Sequence, residues 1–105
     1  MDVGDRSLHE LMRSLGLSRS YAGYKYLVCA LELLREEPER LERVTKGIYP
    51  EVARRYEATP GGVDKAMRTA AGACREELGA SLSVREFLAR LHNMDCQRQR
   101  AGNRE

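Results

Sequence analysis

Lys65 and Arg68 stand three residues apart, with Asp64 and Thr69 beside them. Val63, Ala66, Met67 and Ala70 recur around them at helical spacing, so the four polar residues point away from an apolar stripe. Such a group can read the edge of a base pair. The arginine fork matches O6 and N7 of guanine in the major groove, which makes Arg68 the first candidate; its alternative is a solvated helix arginine. Lys65 shares a face with Arg68 and can reach a guanine or a phosphate as a point charge. Asp64 can accept from a cytosine amino group, or it can serve as a favourable charge near a helix N-terminus. Thr69 suits a thymine methyl or a phosphate. Gly61 and Gly62 lack side chains, so a helix start there can approach a phosphate with its N–H groups; the alternative is a weakened first turn. Arg54 and Arg55 lie on the preceding helix, and at least one is expected to contact a phosphate. Ser20 and Lys25 are further phosphate candidates, and Arg98, Arg100 and Arg104 can trail along a duplex.

These residues need a scaffold, and Tyr49 to Arg68 supplies its pattern. Val52, Ala53 and Tyr56 fall on one face of a short helix, and Glu57-Ala58-Thr59 breaks it. Thr59 is a good N-cap, because its hydroxyl can accept from an orphan N–H of the first turn. Pro60 follows at the first helical position, where a missing N–H costs nothing. Two helices around a tight turn form a helix-turn-helix, whose second helix, Pro60–Leu78, is suited to a major groove.

The rest of the chain reads as helices that bury this motif. Met1 to Arg6 is polar and expected to fray. Ser7 and Glu10 have capping-box spacing ahead of Leu8, Leu11, Met12 and Leu15, and Gly16 ends that helix. Ser18 or Ser20 starts a long core helix carrying Tyr24, Leu27, Val28, Leu31 and Leu34. A third helix follows Glu36-Glu37-Pro38, with Leu41, Val44 and Ile48 as its stripe. Gly72, inside the recognition helix, marks a close contact or a bend, and Gly79 ends that helix. Ser83 and Glu86 again have capping-box spacing, ahead of Val84, Phe87, Leu88 and Leu91. Asn93 to Glu105 is polar and Arg-rich, and is expected to be disordered or only partly helical. No segment alternates like a strand. The expected fold is all-α: a compact bundle of about six helices with a central helix-turn-helix over residues 1–92, then a polar tail over 93–105.

Composition narrows the function. The 105 residues carry a net charge of +2, so charge placement matters more than its sum. From Glu51 to Arg75, Arg54, Arg55, Lys65, Arg68 and Arg75 outnumber Glu51, Glu57 and Asp64, whereas Glu32, Glu36, Glu37, Glu39 and Glu42 cluster on the second and third helices. Cys29, Cys74 and Cys96 show no C-x-x-C spacing and read as thiols of a reducing cytoplasm. His9 and His92 read as ordinary helix residues. No metal or cofactor is expected. There is no Cys/His/Asp pairing, no paired-carboxylate motif and no phosphate-binding glycine loop, so an enzyme is not expected. No membrane span or signal peptide is visible, which points to the cytoplasm.

Three stretches together resemble one family. They are Gly23-Tyr24-Lys25-Tyr26-Leu27, then Val44-Thr45-Lys46-Gly47-Ile48-Tyr49-Pro50-Glu51-Val52-Ala53-Arg54-Arg55-Tyr56, then Val63-Asp64-Lys65-Ala66-Met67-Arg68. In this order and at these separations they resemble the C-terminal DNA-binding domain of the stage-zero sporulation response regulator; Ser83 to Leu88 is similar to its last helix. The resemblance implies a six-helix fold, sequence-specific binding of double-stranded DNA as a homodimer on tandem sites, and contact with an RNA polymerase sigma factor. The chain starts at Met1 almost directly on its first helix, so the family's phosphorylated receiver domain is not expected ahead of it. The segment before the last helix is shorter than in the family. Gly61-Gly62 replaces more polar residues, Lys65 stands where Arg is usual, and Thr69 where His is usual. The family's target sequence is therefore not carried over. The competing reading is a protein-interaction module that keeps the fold without reading DNA and modulates a sporulation regulator or a sigma factor.

Overall fold

The computed structural model describes residues 6–102, which form an all-α molecule. Its helices are α1 (Arg6–Ser14), α2 (Ala22–Glu36), α3 (Tyr49–Arg55), α4 (Pro60–Ala73), α5 (Arg75–Leu78) and α6 (Val84–Gly102). A 3₁₀ segment, Pro38–Arg43, and a wider π-type turn, Val44–Ile48, connect α2 to α3.

Helix α2 is the axis of the core. Leu27, Leu31 and Leu34 repeat at helical spacing and are fully buried, and α1, α4 and α6 pack around them. Leu8, Leu11 and Met12 close one side, Val63 and Met67 a second, and Phe87, Leu88 and Leu91 a third. Gly23 sets the α2–α4 distance. A Cβ there would lie 2.7 Å from the Ala66 carbonyl oxygen, so at this point the two backbones touch.

Helix ends follow local chemistry where the sequence offers a cap. Gly16 is left-handed at φ +80°, and Leu17 N–H bonds back to the Met12 carbonyl at 3.1 Å. This is the Schellman closure that glycine favours. Gly79, at φ +73°, ends α5 in the same conformation. Ser83 and Glu86 form the expected box: Glu86 N–H donates to Ser83 Oγ at 3.2 Å, and Ser83 N–H to Glu86 Oε1 at 3.0 Å.

Several expectations change. Helix α1 already includes Arg6, so Ser7 lies inside it rather than capping it; Met1 to Asp5 lie outside the described residues. Helix α2 starts after Tyr21, which makes no side-chain cap bond. Ser18 and Ser20 instead bond to each other at 2.6 Å within the preceding turn. The third helix is not α-helical: Pro38 opens a 3₁₀ segment, and Arg40 donates to the Gly47 carbonyl across the wide turn. Leu41 and Val44 there are only partly buried, while Ile48 is fully buried. The recognition helix does not run to Leu78. Cys74 interrupts it at φ −96°, ψ 8°, which turns this fully buried side chain into the core beside the Leu15 carbonyl. Gly72 makes no close contact; a Cβ there would meet open space.

The largest change is in the tail. Asn93 to Gly102 is helical and continues α6. Its anchor is Asp95, which is fully buried and accepts from Arg35 Nε and Arg35 Nη2, both at 2.8 Å. Met94 packs on the core, and Arg98 pairs with Glu10 of α1 at 3.5 Å. Asp95 and Arg98 therefore tie this run to the fold, while Asn93, Gln97 and Arg100 stay exposed.

Candidate nucleic-acid interface

Helix α3 presents Val52 and Ala53 to the core. It closes with Ala58 N–H bonded to the Ala53 carbonyl at 2.8 Å. Glu57 makes this turn at φ +53°, the left-handed region that glycine normally fills. Thr59 then caps α4 by accepting from Gly62 N–H at 3.0 Å, with Pro60 in the first turn.

One side of α4 is sealed: Val63, Met67, Ala70 and Ala71 are buried. The opposite side carries Gly61, Lys65, Arg68, Thr69 and Gly72, all exposed. Glycines thus bracket a short strip of three side chains. A Cβ at Gly61 or Gly72 would touch nothing within 4 Å, so neither glycine serves packing. Gly62 is different, because a Cβ there would lie 3.1 Å from the Thr59 cap oxygen. Lys65 and Thr69 border a groove whose other wall is Tyr21, Ala22 and Gly23 at the start of α2. Arg68 borders a second groove with Ser81, Leu82 and Ser83, on the far flank of the helix.

The cations differ in their surroundings. Arg68 is 72% exposed, and its Nη2 lies 2.8 Å from Asp64 Oδ2. The other oxygen of Asp64 accepts from the Tyr49 hydroxyl at 2.5 Å. Both oxygens of the candidate cytosine acceptor therefore already hold partners. Burial first, and then the Asp64 carboxylate, push the Tyr49 hydroxyl up, so it remains a donor at neutral pH. Arg54 is 74% exposed and bonds Glu51. That bond holds the Glu51 carboxyl below its usual range and raises the Arg54 guanidinium. Arg55 lies 4.0 Å from Glu32, so one acidic residue expected away from this face reaches the supporting helix. Lys65 makes no ion pair among the described residues. The Thr69 hydroxyl donates to the Lys65 carbonyl at 3.1 Å.

Residues 8–105 match the family model described as Sporulation initiation factor Spo0A C terminal. The chain belongs to this family. The Spo0A C-terminal domain is a DNA-binding effector domain, a regulatory class rather than an enzymatic one.

Other candidates lie outside α4. Lys25 sits over the rings of Tyr26 and Tyr56, 5.6 and 5.1 Å from their centroids. Tyr56 is 37% exposed rather than seated with Val52 and Ala53, because it meets Tyr26 edge-on at 5.7 Å. Ser20 is bonded to Ser18, Arg98 to Glu10, and Arg100 is exposed; Arg104 lies outside the described residues. His9 stacks on Tyr24 and bonds its hydroxyl at 2.5 Å. Cys29 and Cys74 are buried, and burial pushes both thiols up, Cys74 to about 11. Among the described residues no cluster of three or more His, Cys, Asp or Glu could hold a metal ion, and no helix is long and apolar enough to cross a membrane.

Two residues of this Spo0A-family domain escaped sequence reasoning. Tyr49 is fifteen positions from its partner Asp64, so no local pattern links them. Gly23 is the second residue of α2, outside the helix interior where a glycine would stand out, so nothing local announced its backbone contact.

Proposed function

We propose that this protein is a sequence-specific DNA-binding transcriptional regulator that places α4 in the major groove of duplex DNA. The observation that carries this reading is the exposed strip of α4. It sets Lys65, Arg68 and Thr69 on the face opposite the sealed core contact and leaves bare glycine backbone at both ends. In the proposed complex Arg68 reads guanine O6 and N7. Lys65 supplies a second positive charge to a guanine or a phosphate, and Thr69 meets a thymine methyl or a phosphate. Thr59 and Gly62 close the cap, so the Gly61 end of the helix is the part that approaches a phosphate. Arg54 and Arg55 hold the backbone from α3. The family relationship supports two copies on tandem sites and contact with a sigma factor of RNA polymerase, in the cytoplasm.

The test is a salt series on random duplex DNA followed by selection of bound sequences. Affinity is expected to fall steeply with salt through counterion release. Arg68→Ala should reduce discrimination between sites more than nonspecific affinity, and Arg54→Ala with Arg55→Ala should do the reverse and flatten the salt slope. No binding at low salt would refute the reading. A second reading, an interaction module for a sporulation regulator or a sigma factor, draws on the carboxylates that already hold Arg54 and Arg68. Calorimetric binding to a sigma factor, with no DNA affinity, would establish it instead.

A further inference from the structure

We infer that Tyr49 is a positioning residue for base reading: it fixes Asp64, and Asp64 fixes the guanidinium of Arg68. The inference rests on the proposed role of Arg68 and adds a buried residue that does not itself touch DNA. Tyr49 stands at the first position of α3, in the core, with 6% of its surface exposed. Its hydroxyl crosses to α4 and donates to Asp64 Oδ1 at 2.5 Å. Asp64 Oδ2 holds Arg68 Nη2 at 2.8 Å, one helical turn further on.

Each link has a physical consequence. An exposed Asp–Arg pair on a helix surface contributes little alone, because two mobile side chains must be held in one geometry. Here the carboxylate is not mobile. One oxygen is anchored by a donor fixed in the core, so the second oxygen presents a single position to the guanidinium. Arg68 meets Asp64 through Nη2, and its side chain is 72% exposed, open to a base. A guanidinium immobilised before binding loses less freedom when it meets a base, so the free protein is pre-organised for discrimination. Phosphate contacts do not depend on this geometry. Tyr49 should therefore influence which site is chosen and leave nonspecific attachment alone.

The discriminating variant is Tyr49→Phe, which keeps the ring in the core and removes the hydroxyl. The readout is the ratio of affinity for the selected site to affinity for random duplex, with the salt slope measured in parallel. The ratio should fall about five- to tenfold, part of what a full bidentate pair provides, with nonspecific affinity and slope unchanged. In an Asp64→Ala background Tyr49→Phe should have no further effect, because the link is already cut. Asp64→Asn, which keeps an acceptor for Tyr49 but removes the charge facing Arg68, should also lower the ratio and serves if Tyr49→Phe does not fold. If Arg68→Ala lowers the ratio and Tyr49→Phe does not, the positioning role is refuted while DNA reading stands. Equal losses of specific and nonspecific affinity in Tyr49→Phe would make Tyr49 merely structural and also refute it. An unchanged ratio in Arg68→Ala would remove the reading on which the inference rests.

Discussion

Gly23→Ala tests the contact that fixes α4 against the core. The new methyl would lie 2.7 Å from the Ala66 carbonyl oxygen and 3.2 Å from its carbon. Ordinary contact begins near 3.4 Å, so the α2 and α4 backbones must separate by about 0.7 Å at that point. Inserting a methyl into a filled contact costs about 1–3 kcal/mol. Against this, alanine is favoured over glycine by at most about 1 kcal/mol, the helix-interior value, because Gly23 is the second residue of α2. The net expectation is a loss of about 0–3 kcal/mol. Gly72→Ala is the control, because it adds the same methyl to α4 where nothing lies within 4 Å. There only the helix preference operates, and stability should rise by about 0.5–1 kcal/mol. Urea unfolding followed by far-ultraviolet circular dichroism measures both. The two variants should differ in sign, or by at least about 1 kcal/mol, which is several degrees in Tm for a domain of this size. If Gly23→Ala stabilises as much as Gly72→Ala, the backbone contact does not exist and the account of how α4 is held is wrong.

Three other perturbations have defined outcomes. Glu57→Gly should raise stability by about 1 kcal/mol, since Glu57 occupies a left-handed conformation at φ +53°; chemical denaturation checks it. Asp95→Ala should cost about 3 kcal/mol, the low end for a broken buried pair because Arg35 retains some solvent contact, and amide exchange should accelerate from Cys96 to Gly102. Stability should also decline in alkali. The Cys74 thiol is raised from 9.0 to about 11, so the folded state holds its proton more tightly than the unfolded chain. Its contribution is complete below about pH 9, falls by about 2–3 kcal/mol as pH rises to 11, and is then lost. Tyr49 and Cys29, shifted in the same direction, steepen the decline. Unfolding free energies across this range should fall less in Cys74→Ala than in the natural protein.

Features encoded within a few residues were legible in the sequence. Thr59 and Pro60 mark the start of α4, and the Ser83–Glu86 box forms as spaced, because a cap needs only its own turn. The Leu27–Leu31–Leu34 stripe gave the core helix for the same reason. What escaped depends on distant partners. Asp95 looks like a solvated residue until Arg35, sixty positions earlier, meets it, so a polar run hid half of α6. The Val44 stripe suggested an α-helix, but Pro38 and the Arg40–Gly47 bond favour tighter and then wider turns. At the candidate site the identity of the outward residues was readable from periodicity. Their pairing was not, because it depends on how α3 crosses α4.

The bare ends of the α4 strip limit how much sequence one copy can specify. Gly61 and Gly72 lie about 16 Å apart along the helix axis, and only Lys65, Arg68 and Thr69 project between them. On the proposed reading, three side chains discriminate about three or four base pairs. A word that short recurs by chance about every 64 to 256 base pairs, far too often to address a single promoter. Two copies on adjacent words would multiply these odds and make a chance match rarer than one in several thousand base pairs. The economy of this surface thus shifts the burden of addressing from the single domain to the spacing of its sites.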